Sequence, residues 1–401
     1  MEKLYDRIIF HVDVNSAFLS WSAVDMLKKG EKIDIRNIPS AVGGDESTRH
    51  GIILAKSTSA KKYNVTTGES IYTARQKCPQ LYLVPPDHKL YRKFSNEMME
   101  ILKEYTPVIE QYSIDECFLD ITGMRKTYRE PLKVAYALKE RIKKELGFTV
   151  NVGVSTNKLL AKMASELKKP DKLNTLFPDE IEEKMWKLPI EELFMVGRAT
   201  VPKLKAIGIY KIGDLASYDI DILRRKFKSY GNLLWNYANG IDNSKVTPQE
   251  PSDIKSIGNS TTLAVDIKDT ENARKVIISL CESVGKRLRE AEKFADVVQI
   301  SLKNDMFIVA SKQKKLKYKT DCTQDIIKEI FNLFQGLWKG EPLRYIGISV
   351  SGLSTSKISQ LSFFDDDKME RKQKLDKTID EIRSKYGSDS LVRSSLLNKK
   401  L

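Results

Sequence analysis

Residues 112–121 read Tyr112-Ser113-Ile114-Asp115-Glu116-Cys117-Phe118-Leu119-Asp120-Ile121, and the fold turns on this stretch. Ile114, Phe118, Leu119 and Ile121 are the β-branched, aliphatic and aromatic residues of a buried strand entered from a turn. Two adjacent carboxylates, Asp115 and Glu116, stand at its head. Desolvating one carboxylate beside another is costly unless a proton or a cation compensates. For clustered hard oxygens the usual cation is Mg²⁺. Two exposed acids in a hairpin turn satisfy the segment equally well when it is read alone, so the rest of the chain has to decide.

Length and composition narrow the field. The chain has 401 residues, enough for two to four domains with cores of their own. It is 41% hydrophobic and 30% charged, the balance of a soluble globular protein, and no apolar run approaches the roughly 18 residues of a membrane span. The first residues lead straight into a strand pattern, so no secretory signal is expected. A net charge of +14 favours a polyanionic partner. Cys78, Cys117, Cys281 and Cys322 form no CxxC pair and suit a reducing, cytoplasmic setting. His11, His50 and His88 lie far apart, which speaks against a histidine metal site.

Upstream of the opening stretch, residues 8–14 form a strand pattern that ends on an acid, Asp13. Asn15-Ser16 then offers a cap for a helix through Phe18 and Trp21 to Gly30. A helix-capping aspartate and a reacting one fit Asp13 alike at this point. Residues 31–76 read as a small, basic, irregular subdomain with little core of its own. Downstream, helical spacing at 91–105 and 132–146, a strand at 148–154 and a helix at 157–167 ended by Pro170 complete an α+β order. The order predicts one sheet with its helices on one face, carrying Asp13 and the Asp115/Glu116 pair on its strands. On the 157–167 helix, Lys158 and Lys162 share a face, as solvated lysines commonly do.

Residues 175–242 are helical, and Leu193–Gly208 has the apolar–glycine–helix–glycine rhythm of a helix–hairpin–helix around Gly197. Hairpin amides can take a phosphate without reading sequence, and Lys203 and Lys205 add charge. Residues 243–256, with two prolines, form a linker. The spacing predicts strands at 260–265, 295–303, 306–310, 314–319 and 344–351, with helices at 270–292 and 323–337. Lys315, Lys317 and Lys319 alternate with Leu316 and Tyr318. Lysines so placed either guard an edge against aggregation or lie along a phosphate backbone. Beyond residue 353 a polar run leads to Gln360-Leu361-Ser362-Phe363-Phe364, three acids and a charged tail with one helix over 366–385. Two aromatics past the last domain look like a short peptide for a partner's pocket.

Taken together, the chain resembles the Y-family DNA polymerases, the UmuC/DinB translesion class, over residues 6–364. The resemblance is carried by Ser113-Ile-Asp-Glu-Cys-Phe-Leu-Asp120, by His11-Val-Asp-Val-Asn-Ser-Ala-Phe18 and by Ser155-Thr-Asn-Lys-Leu-Leu-Ala-Lys162-Met-Ala-Ser165, in that family's order. It implies an α+β multidomain right-hand polymerase with a ferredoxin-like palm (1–17 and 80–170), fingers (18–79), a helix–hairpin–helix thumb (171–242), a linker (243–254), an α+β little finger (255–353) and a tail. It implies that Asp13, Asp115 and Glu116, with the carbonyl of Val14, hold two Mg²⁺ ions. It puts Lys61 and Lys162 on the triphosphate and makes Phe18 the steric gate against a ribose 2′-hydroxyl. The implied partners are primer–template DNA and dNTP, and the chain is expected to act as a monomer without a membrane.

Gln360–Phe364 is similar to the bacterial sliding-clamp peptide. Some positions depart from the family. Ser16-Ala17 replace aromatics, Thr58 stands where many members carry a phosphate-contacting tyrosine, and the thumb hairpin reads Val-Gly-Arg. These departures lean toward a UmuC-like member. The expected activity is error-prone translesion synthesis. The alternatives are a weakly active UmuC-like subunit that needs accessory partners and a non-catalytic DNA-repair binding protein.

Overall fold

The computed structural model describes residues 5–45, 49, 51–124, 126–248, 254–355 and 366–396, with only the helical backbone at 366–370. The peptide Gln360–Phe364 lies outside the described residues. In chain order the elements are β1 (Ile9–Val14), α1 (Ala17–Lys28), β2 (Ser40–Gly43), β3 (Ile53–Lys56), α2 (Thr58–Lys61), α3 (Ile71–Lys77), β4 (Tyr82–Val84), α4 (His88–Lys103), β5 (Ile109–Gln111) and β6 (Glu116–Asp120). They continue with α5 (Pro131–Leu146), β7 (Val150–Ser155), α6 (Lys158–Leu167), β8 (Leu173–Thr175), α7 (Val201–Lys205), α8 (Ile212–Ala216), α9 (Ile220–Phe227) and α10 (Ser229–Ala238). The last are β9 (Ser256–Ile267), α11 (Thr270–Glu290), β10 (Ala295–Asn304), β11 (Val309–Thr320), α12 (Thr323–Leu337), β12 (Leu343–Ser351) and α13 (Asp366–Tyr386). Two compact units result, one of Met1–Gly44 with Ile52–Gln249 and one of Asp45–Gly51 with Glu250–Leu401.

In the first unit a five-stranded sheet runs β5-β6-β1-β7-β8. β1 is central and buried along its whole length. Its Phe10, Val12 and Val14 join Val150, Val152 and Val154 of β7 in a core closed by Leu138 and Ile142 of α5 and by Tyr91, Phe94 and Met98 of α4. The other face carries Ile9, His11 and Asp13, because side chains alternate along a strand. There α6 packs, with Ala161 against Ile9 and Phe118. The expectation of helices on one face is therefore corrected: α4 and α5 cover one side and α6 the other. Gly153 of β7 makes this possible. A Cβ there would collide with the Ala161 carbonyl and the Ser165 amide of α6.

A three-stranded sheet, β3-β2-β4, holds Ser40–Gly43, Ile53–Lys56 and Tyr82–Val84. Ala41, Ile53, Ala60, Val65, Ile71, Ala74, Cys78 and Leu81 form a buried cluster on it. The segment expected to have little core of its own thus contributes most of one, drawn from dispersed single apolar residues that no periodicity reveals. α7–α10 share a further core through Leu204, Ile212, Leu215, Leu223 and Leu234.

The second unit is a four-stranded sheet, β11-β10-β12-β9, backed by α11 and α12. Where two strands are expected at 306–310 and 314–319, one long strand, β11, runs from Val309 to Thr320. The tail helix is not merely solvated. Asp376 of α13 is 4% exposed and accepts from the Thr323 amide at 2.8 Å, capping α12. Asp380 accepts from Arg289 of α11 at 2.6 Å, and Glu282 of α11 pairs with Arg383 at 3.2 Å.

The close seat of α6 gives a stability test. Gly153→Ala should cost about 3 kcal/mol, the range of an overpacked backbone contact. Urea unfolding checks this, and an unchanged midpoint would contradict the packing account.

Candidate active site

β1 and β6 are antiparallel with Asp13 opposite Glu116 and His11 opposite Phe118, so these four side chains share the α6 face. Asp115 sits one residue before β6, and its carbonyl accepts from the Val14 amide at 3.0 Å. The chain leaves β1 through a pinned turn. Asn15 Oδ1 accepts from Thr149 Oγ1 at 2.9 Å and from the Asp171 amide at 2.8 Å. Ser16 follows with φ 47°, a left-handed conformation unusual for serine, and caps α1 without a side-chain hydrogen bond. Phe18 then lies flat on Tyr91, the ring centroids 4.5 Å apart and 7° from parallel.

A cavity of about 460 Å³ opens at this point. Asp13, Val14, Phe18, Thr58, Lys61, Asp115 and Lys169 are among the residues that line it. Ser113 Oγ donates to Asp115 Oδ1 at 2.5 Å. Lys169 Nζ donates to Asp13 Oδ2 at 2.7 Å and to Glu166 at 2.8 Å. Burial pushes the Asp13 carboxyl up to about 6 in spite of that ammonium.

Glu116 is held differently. Its Oε2 accepts from Lys162 Nζ at 2.5 Å, and His11 Nε2 stands 3.4 Å away. Burial raises its carboxyl, but His11 and Lys162 outweigh burial and bring it down to about 2. Lys162 also lies over the Tyr112 and Phe194 rings, 5.4 and 5.5 Å from their centroids. Its helical neighbour Lys158 grips Glu110 of β5 at 2.6 and 2.7 Å. The two lysines that resemble a solvated stripe are thus turned inward onto the sheet's glutamates. His11 is fully buried, with Nδ1 2.8 Å from Ser165 Oγ, and burial lowers its ring to about 4.

The structure therefore gathers Asp13, Asp115, Phe18, Thr58 and Lys61 around one cavity and places Lys162 on Glu116 instead of among the lining residues. Sequence reasoning missed Lys169. It took Pro170 only as a helix stop, and the lysine before that proline was the available signal. Among the described residues no three His, Cys, Asp or Glu side chains are grouped as a ready metal site. The donor chemistry nonetheless fits a hard divalent cation. The donors are carboxylates on one pair of strands, and the Lys169 ammonium is a stand-in positive charge on one of them.

Two outlying surfaces were also expected to bind. The Gly197 carbonyl accepts from the Thr200 and Val201 amides at 2.8 and 3.2 Å, fixing the turn into α7, where Lys203 is exposed and Lys205 reaches Glu191 at 3.2 Å. In the second unit the sheet face away from α11 and α12 has a 290 Å³ concavity lined by Asn259, Ser260, Gln299, Ser301, Tyr345 and Ser349. Lys315 pairs in register with Val297 on that sheet, Lys319 donates to Ser354 Oγ at 2.9 Å, and Lys317 lies over the Tyr318 ring.

Comparison with known proteins adds the following. Residues 12–166 match the impB/mucB/samB family, 254–363 its C-terminal domain and 178–209 the family's HHH motif. The chain is 53% identical to the DNA polymerase IV of Clostridium acetobutylicum, over 98% of this chain and 99% of that one. It is 39% identical to the DNA polymerase IV of Acetivibrio thermocellus, over 98% of each. It is 34% identical to the DNA polymerase IV 2 of Bacillus subtilis, over 98% of this chain and 95% of the relative. Its fold matches a Y-family DNA polymerase chimera with a TM-score of 0.75, at 24% identity, over 87% of this chain and all of that one. The lean toward a UmuC-like member is corrected by these relatives, which carry the DNA polymerase IV name in spite of the departures at Ser16-Ala17 and Thr58.

The Asp13 environment sets a pH dependence. Its carboxyl titrates near 6 when folded against an ordinary 3.8. The stability it contributes is therefore complete below about pH 4 and lost as pH rises through about 6. Asp13→Asn keeps the site neutral, so at pH 8 in EDTA it should be up to about 3 kcal/mol more stable than the parent chain. At pH 4 no gain is expected. Urea unfolding at the two pH values measures this, and an equal gain at both would rule out the burial account.

Proposed function

The chain belongs to the impB/mucB/samB family, the Y-family DNA polymerases, and from that membership we propose that it carries out template-directed, error-prone translesion DNA synthesis. Its substrates are primer–template DNA and dNTP, and like its family it depends on a divalent metal. One observation from the structure supports this reading above the others: Asp13 and Asp115 line the same cavity as Phe18 and Lys61. A reaction needs a nucleotide's sugar, phosphates and metal side by side, and this cavity puts a ring, an ammonium and two carboxylates within one volume.

The residues divide the work as follows. Asp13, Asp115 and Glu116, with the Val14 carbonyl, would hold two Mg²⁺ ions. When bound, such ions lower the pKa of the primer 3′-hydroxyl and stabilise the pyrophosphate that leaves. Lys61 and Lys169 would neutralise the triphosphate, with Lys169 exchanging Asp13 for phosphate oxygens. Lys162, held on Glu116, would share its charge between that carboxylate and the triphosphate. Thr58 offers only a short hydroxyl at the cavity wall. Phe18, stacked on Tyr91, presents a rigid edge that a ribose 2′-hydroxyl would strike. The palm (1–17 and 80–170), fingers (18–79), thumb (171–242) and little finger (255–353) would be the working parts, with Gly197, Lys203 and Lys205 of the thumb and Lys315, Lys317 and Lys319 of the little finger on the DNA backbone. Gln360–Phe364 would dock on a bacterial sliding clamp. The polymerase would act as a monomer in the cytoplasm.

Primer extension tests the reading. Asp115→Ala with Glu116→Ala should lower the rate by at least about a hundredfold, the scale of a lost charge-stabilising group. Extension at the parent rate would sink the metal assignment. Absence of extension by the parent chain, with clamp present, would favour a subunit that needs partners. Phe18→Ala should admit ribonucleotides, and unchanged sugar selection would refute the gate. Removal of Gln360–Phe364 should abolish clamp binding and spare synthesis on short primers; clamp binding that survived would refute the docking role.

A further inference from the structure

His11 is fully buried on β1, two residues before Asp13 and on the same face of the sheet. Its Nε2 has no well-formed hydrogen bond and is aimed at Glu116 Oε2, 3.4 Å away. Its Nδ1 lies 2.8 Å from Ser165 Oγ, and that hydroxyl lies 2.8 Å from the Lys162 carbonyl. A neutral imidazole has one N–H, and a serine hydroxyl has one proton. Two assignments are possible. With the proton on Nδ1, Ser165 gives its own proton to the Lys162 carbonyl, and a bare nitrogen lone pair faces a carboxylate oxygen inside the protein. With the proton on Nε2, Ser165 donates to Nδ1, and an N–H faces the carboxylate. The first sets a lone pair against a charged carboxylate where desolvation magnifies the repulsion; the second gives up the neutral Ser165–Lys162 carbonyl bond in exchange for an N–H facing that charge, and hydrogen bonds to charged groups are the stronger ones. The Lys162 carbonyl, in the middle of α6, keeps its helical acceptor role in either case.

We infer that His11 is a positioning residue for Glu116: its Nε2–H and the Lys162 ammonium together occupy Oε2, so that Glu116 meets the metal through Oε1. This rests on the reading of Glu116 as a metal ligand. The arrangement explains the polar side chain under the sheet. Phe118, its cross-strand neighbour, lies 4.6 Å from the ring and closes the pocket on that side. Among the described residues Glu116 Oε1 accepts no hydrogen bond, whereas Oε2 is approached by the Lys162 ammonium and the His11 ring. A carboxylate with one oxygen tied is a single-oxygen ligand of fixed direction, as outer partners of metal sites generally enforce.

Two measurements test this on the full chain. The first is ¹⁵N NMR of the histidine-labelled, metal-free parent protein, with His50→Gln and His88→Gln variants removing the other two signals. A protonated Nε2 with a bare Nδ1 is expected, and the reverse tautomer or a doubly protonated ring overturns the inference. The second is Mn²⁺ binding by EPR. Glutamine can place an amide N–H near the Nε2 position and asparagine cannot. His11→Gln should hold Mn²⁺ within about twofold of the parent, and His11→Asn should bind roughly tenfold more weakly, the scale of a lost outer partner. Equal binding by both variants, with Glu116→Ala still weakened, overturns the positioning role alone. Undiminished binding by Glu116→Ala overturns the ligand reading and the inference with it.

Discussion

Two carboxylates set opposite each other across a buried ladder, Asp13 on β1 and Glu116 on β6, impose the constraint that the first unit answers. Cross-strand partners stand about 5 Å apart at Cβ, and like charges there repel. Positive charge has to be brought to them, and α6 brings it. It lays Lys162 on Glu116 and Lys158 on Glu110, and the chain beyond it turns Lys169 onto Asp13. A helix can reach that depth only where the strand beneath lacks a side chain, which is why Gly153 faces it. A single glycine thus couples packing to electrostatics.

The neutralisation is uneven, and the difference is functional. Glu116 accepts from Lys162 beside the His11 ring and stays ionised well below the usual range, so it is a fixed charge. Asp13 remains so buried that its carboxyl rises to about 6 even beside Lys169. The fold leaves one carboxylate poorly satisfied at the edge of a cavity, where a cation would relieve it. Sites that work commonly keep such local destabilisation. The left-handed Ser16 at the same turn is of the same kind, since it redirects the chain so that Phe18 reaches the cavity wall.

The second unit shows a different use of the same materials. Its sheet spends one face on α11 and α12 and keeps polar, small side chains on the other. α13 is added to its helical side by charge. Asp376, Asp380 and Arg383 pair with α11 and the start of α12.

The sequence by itself determined the β1 and β6 strands, the acids at their ends, most of the helices and the polymerase resemblance. Those signals are local: strand alternation, helical spacing and adjacent carboxylates all lie within about ten residues. Tertiary structure decided what depends on distant residues. It put α6 on the opposite face from α4 and α5, built a core for the β3-β2-β4 sheet from scattered residues, and merged two expected strands into β11. It also separated lysines that look alike in sequence. Lys162 went to Glu116 and Lys169 to Asp13, because where an ammonium lands is set by which strand lies beneath it, and no spacing along one chain records that.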